Sequence, residues 1–278
     1  MVLADTYERQ LAALAARGRL RTLAPRRGLD FSSNDYLGLS RDTNIAAAIA
    51  DAAARGVSAG SGGSRLLHGN APEHEALEAR AAAFFGSEAA LFFANGFAAN
   101  MALLSTLPQR GDLIVADELI HASAHDGIRL SKAECRFAPH NDAQGFADII
   151  SDWRRSGGKG RPWIVCESIY SMDGDIAPVD ALAALAAEHD GALIVDEAHA
   201  SGVHGAQGRG IAAHLDGQPH IVSLHTCGKA MGVEGALVCA PRILIDYLVN
   251  RARSFIFSTA PSPLIAIAVE KALERIAQ

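Results

Sequence analysis

The sequence contains few cysteines and no closely spaced pair of them. Four occur in 278 residues, and none lies in a CxxC motif, which disfavours a zinc ribbon or a redox dithiol. A chain of this length can bury enough apolar surface to fold without disulfides. We therefore expect reduced thiols at Cys135, Cys166, Cys227 and Cys239.

Basic charge and long apolar runs are also scarce. Lys and Arg number 25 against 31 Asp and Glu, a formal net charge of −6, which disfavours a nucleic-acid partner. Asp5 and Glu8 lie close to Met1, so the N-terminus does not resemble a signal peptide. The longest apolar stretch, 89–107, is interrupted by Asn95 and other polar residues, and is unsuited to a membrane span. The sequence predicts a cytoplasmic protein with no membrane partner.

From about residue 88 onward, short apolar runs alternate with segments of helical period. Runs that are apolar throughout favour a parallel sheet covered on both faces, and their alternation with helices predicts an α/β fold. The predicted strands are Ala89–Phe93, Leu113–Ala116, Trp163–Cys166, Ala192–Val195, Ile221–Leu224 and Ala236–Cys239. The predicted helices are Asp5–Arg17, Phe97–Leu107, Ala122–Ser131, Phe146–Arg154, Val179–His189 and Arg242–Arg251.

Two glycine-containing segments fail the nucleotide-binding motifs that they partly match. In 60–65 the third glycine of the dinucleotide fingerprint is replaced by Arg65. The pair Gly228-Lys229 is followed by Ala230 instead of the Ser or Thr of a P-loop.

Two histidine clusters could bind a metal, but neither carries a recognised motif. His121 and His125 are four residues apart, yet Ala122 stands where the zincin motif needs Glu. The second cluster, Asp196 to His204, has no diagnostic ligand spacing. A hydrogen-bonded histidine is commoner than a ligand, so we predict no metal site.

Asp196 and Lys229 follow successive strands, at the sheet edge where ligands bind in α/β folds. Taken alone, Asp196 could be a cap and Lys229 a surface lysine. Together they suit pyridoxal phosphate, since Lys forms a Schiff base with its aldehyde and Asp pairs with its ring nitrogen. Gly96 opens a helix whose free N–H groups suit the phosphate, and Thr226 can add a hydroxyl.

Five strings resemble the α-oxoamine synthases, which are fold-type I pyridoxal-phosphate enzymes of the aminotransferase class I/II superfamily. The resemblance covers essentially the whole chain. The strings are FSSNDYLGL at 31–39, GGSRLLHGN at 62–70, HEALE at 74–78, SMDGD at 171–175 and DEAH at 196–199.

The resemblance implies a role for each matching residue. The catalytic set would be Lys229, which carries the cofactor, Asp196 at its ring nitrogen, and His121 stacked on its ring and near the substrate. The remaining cofactor contacts would be Gly96, Phe97 and Thr226 at the phosphate, with Ser171 and His199 at the phenolic oxygen. Arg21 would contact the acyl thioester, and Asn34 the amino-acid carboxylate.

Within the family, the strings at 33–39 and 64–70 favour the biotin-pathway branch. That branch condenses L-alanine with a pimeloyl thioester of CoA or acyl carrier protein. The alternatives are an enzyme like 2-amino-3-ketobutyrate ligase or serine palmitoyltransferase, and a cofactor-binding fragment without activity. A serine acyl hydrolase is disfavoured because the G-x-S-x-G string at 56–60 does not follow a predicted strand, as a nucleophile elbow does.

The resemblance also implies a domain plan and an assembly. Residues 1–40 would form an N-terminal helix and arm, and residues 41–278 the cofactor-binding large domain of a homodimer. Family members continue by roughly a hundred residues, the size of a small domain. We therefore expect a C-terminal domain to be absent, together with an arginine for the amino-acid carboxylate. We expect this chain alone to hold the cofactor but turn over poorly.

Overall fold

The structure is a computed structural model that describes residues 3–25 and 27–278. Residues 1, 2 and 26 of the predicted segment 1–40 lie outside the described residues. The chain divides into one unit up to Ser33 and a second unit, Asn34–Gln278. The domain boundary expected between residues 40 and 41 stays a prediction. The first unit contains helix α1 (Leu3–Ala16), in which none of the 14 residues is buried.

The second unit contains one seven-stranded sheet and nine further helices, and all of its residues are described. The strands are β1 (Ala89–Phe93), β2 (Leu113–Asp117), β3 (Glu134–Ala138), β4 (Pro162–Glu167), β5 (Ala192–Asp196), β6 (Ile221–Thr226) and β7 (Ala236–Ala240). The helices are α2 (Thr43–Ala54), α3 (Pro72–Phe85), α4 (Gly96–Thr106), α5 (Ala122–Leu130), α6 (Ala143–Arg155), α7 (Val179–Glu188), α8 (Arg242–Arg251), α9 (Arg253–Ile256) and α10 (Pro263–Ile276).

The sheet has the strand order β1-β7-β6-β5-β4-β2-β3. β7 runs antiparallel to β1 and β6, and the other neighbours are parallel. Successive side chains of a strand point to opposite faces, so Ile194 packs in one core cluster while Leu193 and Val195 pack in another. Both faces are therefore buried beneath helices, which confirms the predicted mostly parallel α/β fold.

All six predicted strands and all six predicted helices are present, with ends shifted by a few residues at most. β3 was not predicted, because it is an edge strand in which Glu134 and Arg136 interrupt the apolar pattern. The helices outside the predicted set are α2, α3, α9 and α10, of which α2 begins at the cap Asp42 and is rich in alanine. No helix among the described residues is long and apolar enough to cross a membrane.

Edge strand β1 is protected by a charged pair from the elements before it. Glu78 on α3 accepts the outward N–H of Phe92 through Oε1 at 2.9 Å. The same carboxylate binds the Arg65 guanidinium through two hydrogen bonds of 2.8 and 3.0 Å. The arginine side chain is only 8% exposed. The pair therefore satisfies a strand edge that would otherwise be open to pairing with another chain.

We predict that Glu78→Ala lowers the free energy of unfolding by about 3–5 kcal/mol, because it leaves a buried guanidinium and a strand N–H without their acceptor. Urea unfolding followed by circular dichroism measures the change. The matched control is Asp152→Asn, which removes an exposed partner of Arg155 and should change stability by less than about 0.5 kcal/mol. A Glu78→Ala loss as small as that of the control would contradict the prediction.

Candidate active site

The carboxyl ends of three parallel strands meet the N-terminus of α4 around a cavity of about 170 Å³. Glu167, Asp196 and Thr226 end β4, β5 and β6, and Gly96 begins α4. Seven of the residues predicted for the site line this cavity, namely Gly96, Phe97, His121, Asp196, His199, Thr226 and Lys229. The structure thus brings together residues spread over more than 130 positions of the sequence.

Lys229 lies in the connection between β6 and β7, and its amine faces His199. The Nζ atom is 2.7 Å from His199 Nε2. Burial lowers the pKa of Lys229, while Asp196 and Glu167 oppose that shift. Burial and then the lysine charge lower the pKa of His199 to about 4, so this imidazole is neutral near pH 7.

The hydrogen bonds of His199 continue to a tyrosine and an asparagine. Its Nδ1 lies 2.7 Å from the Tyr36 hydroxyl, which donates to Asn34 Oδ1 at 3.1 Å. Because the Tyr36 hydrogen is used on Asn34, His199 Nδ1–H donates to the Tyr36 oxygen and Nε2 accepts from Lys229. Asn34 is therefore connected to the cavity through Tyr36, which the sequence analysis had not singled out.

Asp196 and His121 are held by a group of buried polar side chains. Asp196 Oδ2 accepts from Asn100 Nδ2 at 2.8 Å, and Oδ1 accepts from the N–H of Ala198 at 3.0 Å. His121 caps α5, and its Nδ1 lies 2.7 Å from Ser123 Oγ. Hydrogen bonds from the protein thus hold both carboxylate oxygens of Asp196 and one ring nitrogen of His121 in place.

The N-terminus of α4 and a strand-end hydroxyl form a site suited to an anion. Asn95 caps the helix through its side chain, which accepts from the N–H of Ala98 at 2.8 Å. A Cβ atom placed on Gly96 would lie 3.6 Å from Thr226 Oγ1, so hydroxyl and helix end are adjacent. The helix dipole and unpaired N–H groups favour negative charge here.

Glu167 is a buried carboxyl group that the sequence analysis missed. It is 4% exposed, lines the cavity, and its Oε1 has no hydrogen-bond partner among the described residues. Burial, and next the neighbouring Asp196, raise its pKa to about 8. The signal was available, because Glu167 ends the apolar run of β4 as Asp196 ends that of β5.

Ser171 and Arg21 are not among the residues that line the cavity. Ser171 is exposed in a turn after β4. That turn is held by His140, whose Nε2 lies 2.6 Å from Asp175 Oδ2 and whose Nδ1 lies 2.9 Å from Asp117 Oδ1. Arg21 is exposed in the unit that ends at Ser33. Their predicted contacts stay predictions.

The comparison with protein families identifies the class to which this fold and site belong. The model of the family "Aminotransferase class I and II" matches residues 26–278. The chain belongs to that family, as the motifs had indicated.

Individual proteins of known name are also similar to this chain. The 8-amino-7-oxononanoate synthase of Acidithiobacillus ferrooxidans is 43% identical over 286 residues, covering 95% of this chain and 72% of the relative. The solved 8-amino-7-oxononanoate synthase of Francisella tularensis is 34% identical with a TM-score of 0.75, covering 90% of this chain and 69% of that one. A solved serine palmitoyltransferase of Sphingomonas wittichii is 27% identical with a TM-score of 0.87, covering 100% of this chain and 73% of that one.

We predict that Glu167→Gln flattens the pH dependence of stability in the ligand-free protein. The pKa of Glu167 is raised in the fold to about 8 from 4.5. Its contribution to stability is therefore complete below the lower value and is lost as the pH rises through the higher one. The melting temperature of the wild type, measured by calorimetry from about pH 5 to about pH 9, should fall more steeply than that of the variant.

The control for this measurement is Glu234→Gln, which changes an exposed glutamate. Its melting curve should follow the wild type at every pH. Parallel curves for the wild type and Glu167→Gln would show that Glu167 keeps the same proton affinity in the folded and unfolded states.

Proposed function

We propose that this protein is a pyridoxal-phosphate-dependent acyltransferase that forms 8-amino-7-oxononanoate from L-alanine and a pimeloyl thioester of CoA or acyl carrier protein. The Cα of alanine forms a carbon–carbon bond to the acyl carbon, the thiol leaves, and the alanine carboxylate departs as CO2. The observation that carries the proposal is the convergence of Lys229 and Asp196 in one cavity, in a chain 43% identical to such synthases.

The residues present fit pyridoxal phosphate. The N-terminus of α4 and Thr226 suit its phosphate, the Asp196 carboxylate its ring nitrogen, and the Lys229 amine its aldehyde. The cavity also contains Glu167, whose Oε1 lacks a partner among the described residues, as expected where a polar ligand belongs. When bound, this cofactor supplies an electron sink for the bond at the substrate Cα.

Lys229 and Asp196 have distinct tasks in this proposal. The lowered pKa of Lys229 increases the fraction of free amine at Nζ that can take the Cα proton. His199 Nε2 accepts a hydrogen bond from this amine and orients it. The negative charge of Asp196 stabilises positive charge at the ring nitrogen opposite. His121, which lines the same cavity, is assigned to the ring face.

The remaining assignments belong to the same proposal. Residues 41–278 form the cofactor-binding domain of a cytoplasmic homodimer. Ser171 and His199 contact the phenolic oxygen of the cofactor, and Phe97 lies at the phosphate. Asn34 binds the amino-acid carboxylate, and Arg21 the acyl thioester.

We predict that the wild type incorporates pyridoxal phosphate on Lys229. The variant Lys229→Ala should not, because the side chain at position 229 then has no amine to form the Schiff base. Borohydride reduction of the loaded protein followed by peptide mass spectrometry locates the bound group. Lys271→Ala, which removes a lysine paired with Glu274 away from the cavity, is the control and should label like the wild type. Wild-type protein without a labelled Lys229 peptide would overturn the cofactor assignment.

The substrate assignment is tested by release of free thiol. The loaded wild type should release thiol from pimeloyl-CoA when L-alanine is present, and Lys229→Ala should release none. Because serine palmitoyltransferases are among the structural relatives, the comparison pair of substrates is L-serine with palmitoyl-CoA. Faster thiol release with that pair would assign the protein to the other branch.

We predict that Asp196→Asn retains pyridoxal phosphate but slows exchange of the alanine α-proton on the order of a hundredfold, because an amide cannot balance positive charge on the ring nitrogen. Proton NMR of L-alanine in deuterated buffer measures the exchange, and absorbance measures cofactor occupancy. The rate is compared at equal occupancy. Equal exchange rates in the variant and the wild type would remove Asp196 from the chemistry.

A further inference from the structure

Asn100 connects the two groups that face the proposed cofactor ring. It lies on α4 one turn after Gly96, and it is 3% exposed. Its Nδ2 is 2.8 Å from Asp196 Oδ2 and 3.0 Å from Ser123 Oγ. The reversed amide would place its oxygen against the Asp196 carboxylate, with two acceptors facing each other. The orientation of the amide is therefore fixed by Asp196.

The direction of each hydrogen bond in this group follows from counting hydrogens. Asn100 Nδ2 has two hydrogens, so it donates to both neighbours. Ser123 Oγ accepts one of them and has its own hydrogen left for His121 Nδ1, 2.7 Å away. The backbone N–H of Ser123 donates to the same Nδ1 at 3.2 Å. This nitrogen is thus an acceptor, and in the neutral ring the hydrogen is on Nε2.

We propose that Asn100 is a positioning residue that sets both the Asp196 carboxylate and, through Ser123, the orientation and tautomer of His121 before any ligand enters. Its amide restrains the carboxylate from behind while the Ala198 N–H restrains the other oxygen. The use of this restraint for pyridoxal phosphate rests on the proposed function. The tautomer of His121 does not.

Two variants distinguish the two arms of this hydrogen-bonded group. The Asp196 arm is the hydrogen bond from Asn100 to Asp196, and the His121 arm runs from Asn100 through Ser123 to His121. Ser123→Ala removes the hydroxyl that binds His121 but leaves Asn100 against Asp196. Asn100→Ala removes both arms. Thr106→Val is the matched control, since Thr106 is 9% exposed on the same helix and lies outside the cavity. A general loosening of α4 would affect Thr106→Val as well as Asn100→Ala through stability alone.

The first measurement uses the ligand-free protein with labelled histidine, and His121→Asn assigns the resonances. Nitrogen-15 shifts should show His121 with hydrogen on Nε2 in the wild type and in Thr106→Val. Ser123→Ala and Asn100→Ala should shift His121 toward a mixture of tautomers. Hydrogen on Nδ1 in the wild type, or unchanged shifts in both site variants, would overturn the proposal whatever the cofactor is.

The second measurement compares pyridoxal phosphate with an analogue whose ring nitrogen is replaced by C–H. The wild type and Ser123→Ala should prefer pyridoxal phosphate, because Asp196 stays in place. Asn100→Ala should reduce that preference about tenfold, because the charged Asp196 carboxylate loses a hydrogen bond. A ratio of dissociation constants in Asn100→Ala equal to that of the wild type overturns the Asp196 arm. A wild type that binds neither compound overturns the proposed function and leaves the tautomer result standing.

Discussion

The register of the parallel strands β4 and β5 is the constraint on which the site depends. It pairs Glu167 with Asp196, so two carboxyl groups end neighbouring strands at one buried edge of the sheet. Ionising both there is costly unless positive charge is near, and Lys229 lines the same cavity. Burial and then the neighbouring Asp196 raise the pKa of Glu167, and Asp196 needs the donors that Asn100 and the chain after β5 supply.

The same burial controls the bases of the site. It disfavours charge on both Lys229 and His199, and the two side chains share one short hydrogen bond. A neutral His199 can accept from the amine while Tyr36 accepts from its other nitrogen. The hydrogen bond to a neutral His199 keeps the Lys229 amine aligned without holding its proton, as an anionic partner at that position would.

The sequence predicted those parts of the molecule whose signal is local. Apolar runs revealed the central strands, and the motifs around Asp196 and Lys229 revealed the residues at their ends. Edge strand β3 was missed because only one of its five residues is buried. Glu167 was missed although its position at the end of the apolar run of β4 is a local signal. Asn100 was missed because its importance comes from Asp196 on β5 and Ser123 on α5, which no local pattern records. The exposed position of Ser171 likewise depends on a turn held from other elements.

Lys229 lies in the connection that leads from β6 directly into its antiparallel neighbour β7. The N–H of Cys227 binds the carbonyl of Gly235 at 2.9 Å, and a Cβ on Gly232 would lie 2.1 Å from the backbone nitrogen of Ser40. These contacts hold the backbone of the connection that carries Lys229 in place. Four methylene groups join the Lys229 amine to this backbone. The amine therefore changes position by rotation about side-chain bonds, which occurs on the timescale of rotamer changes and not of loop opening.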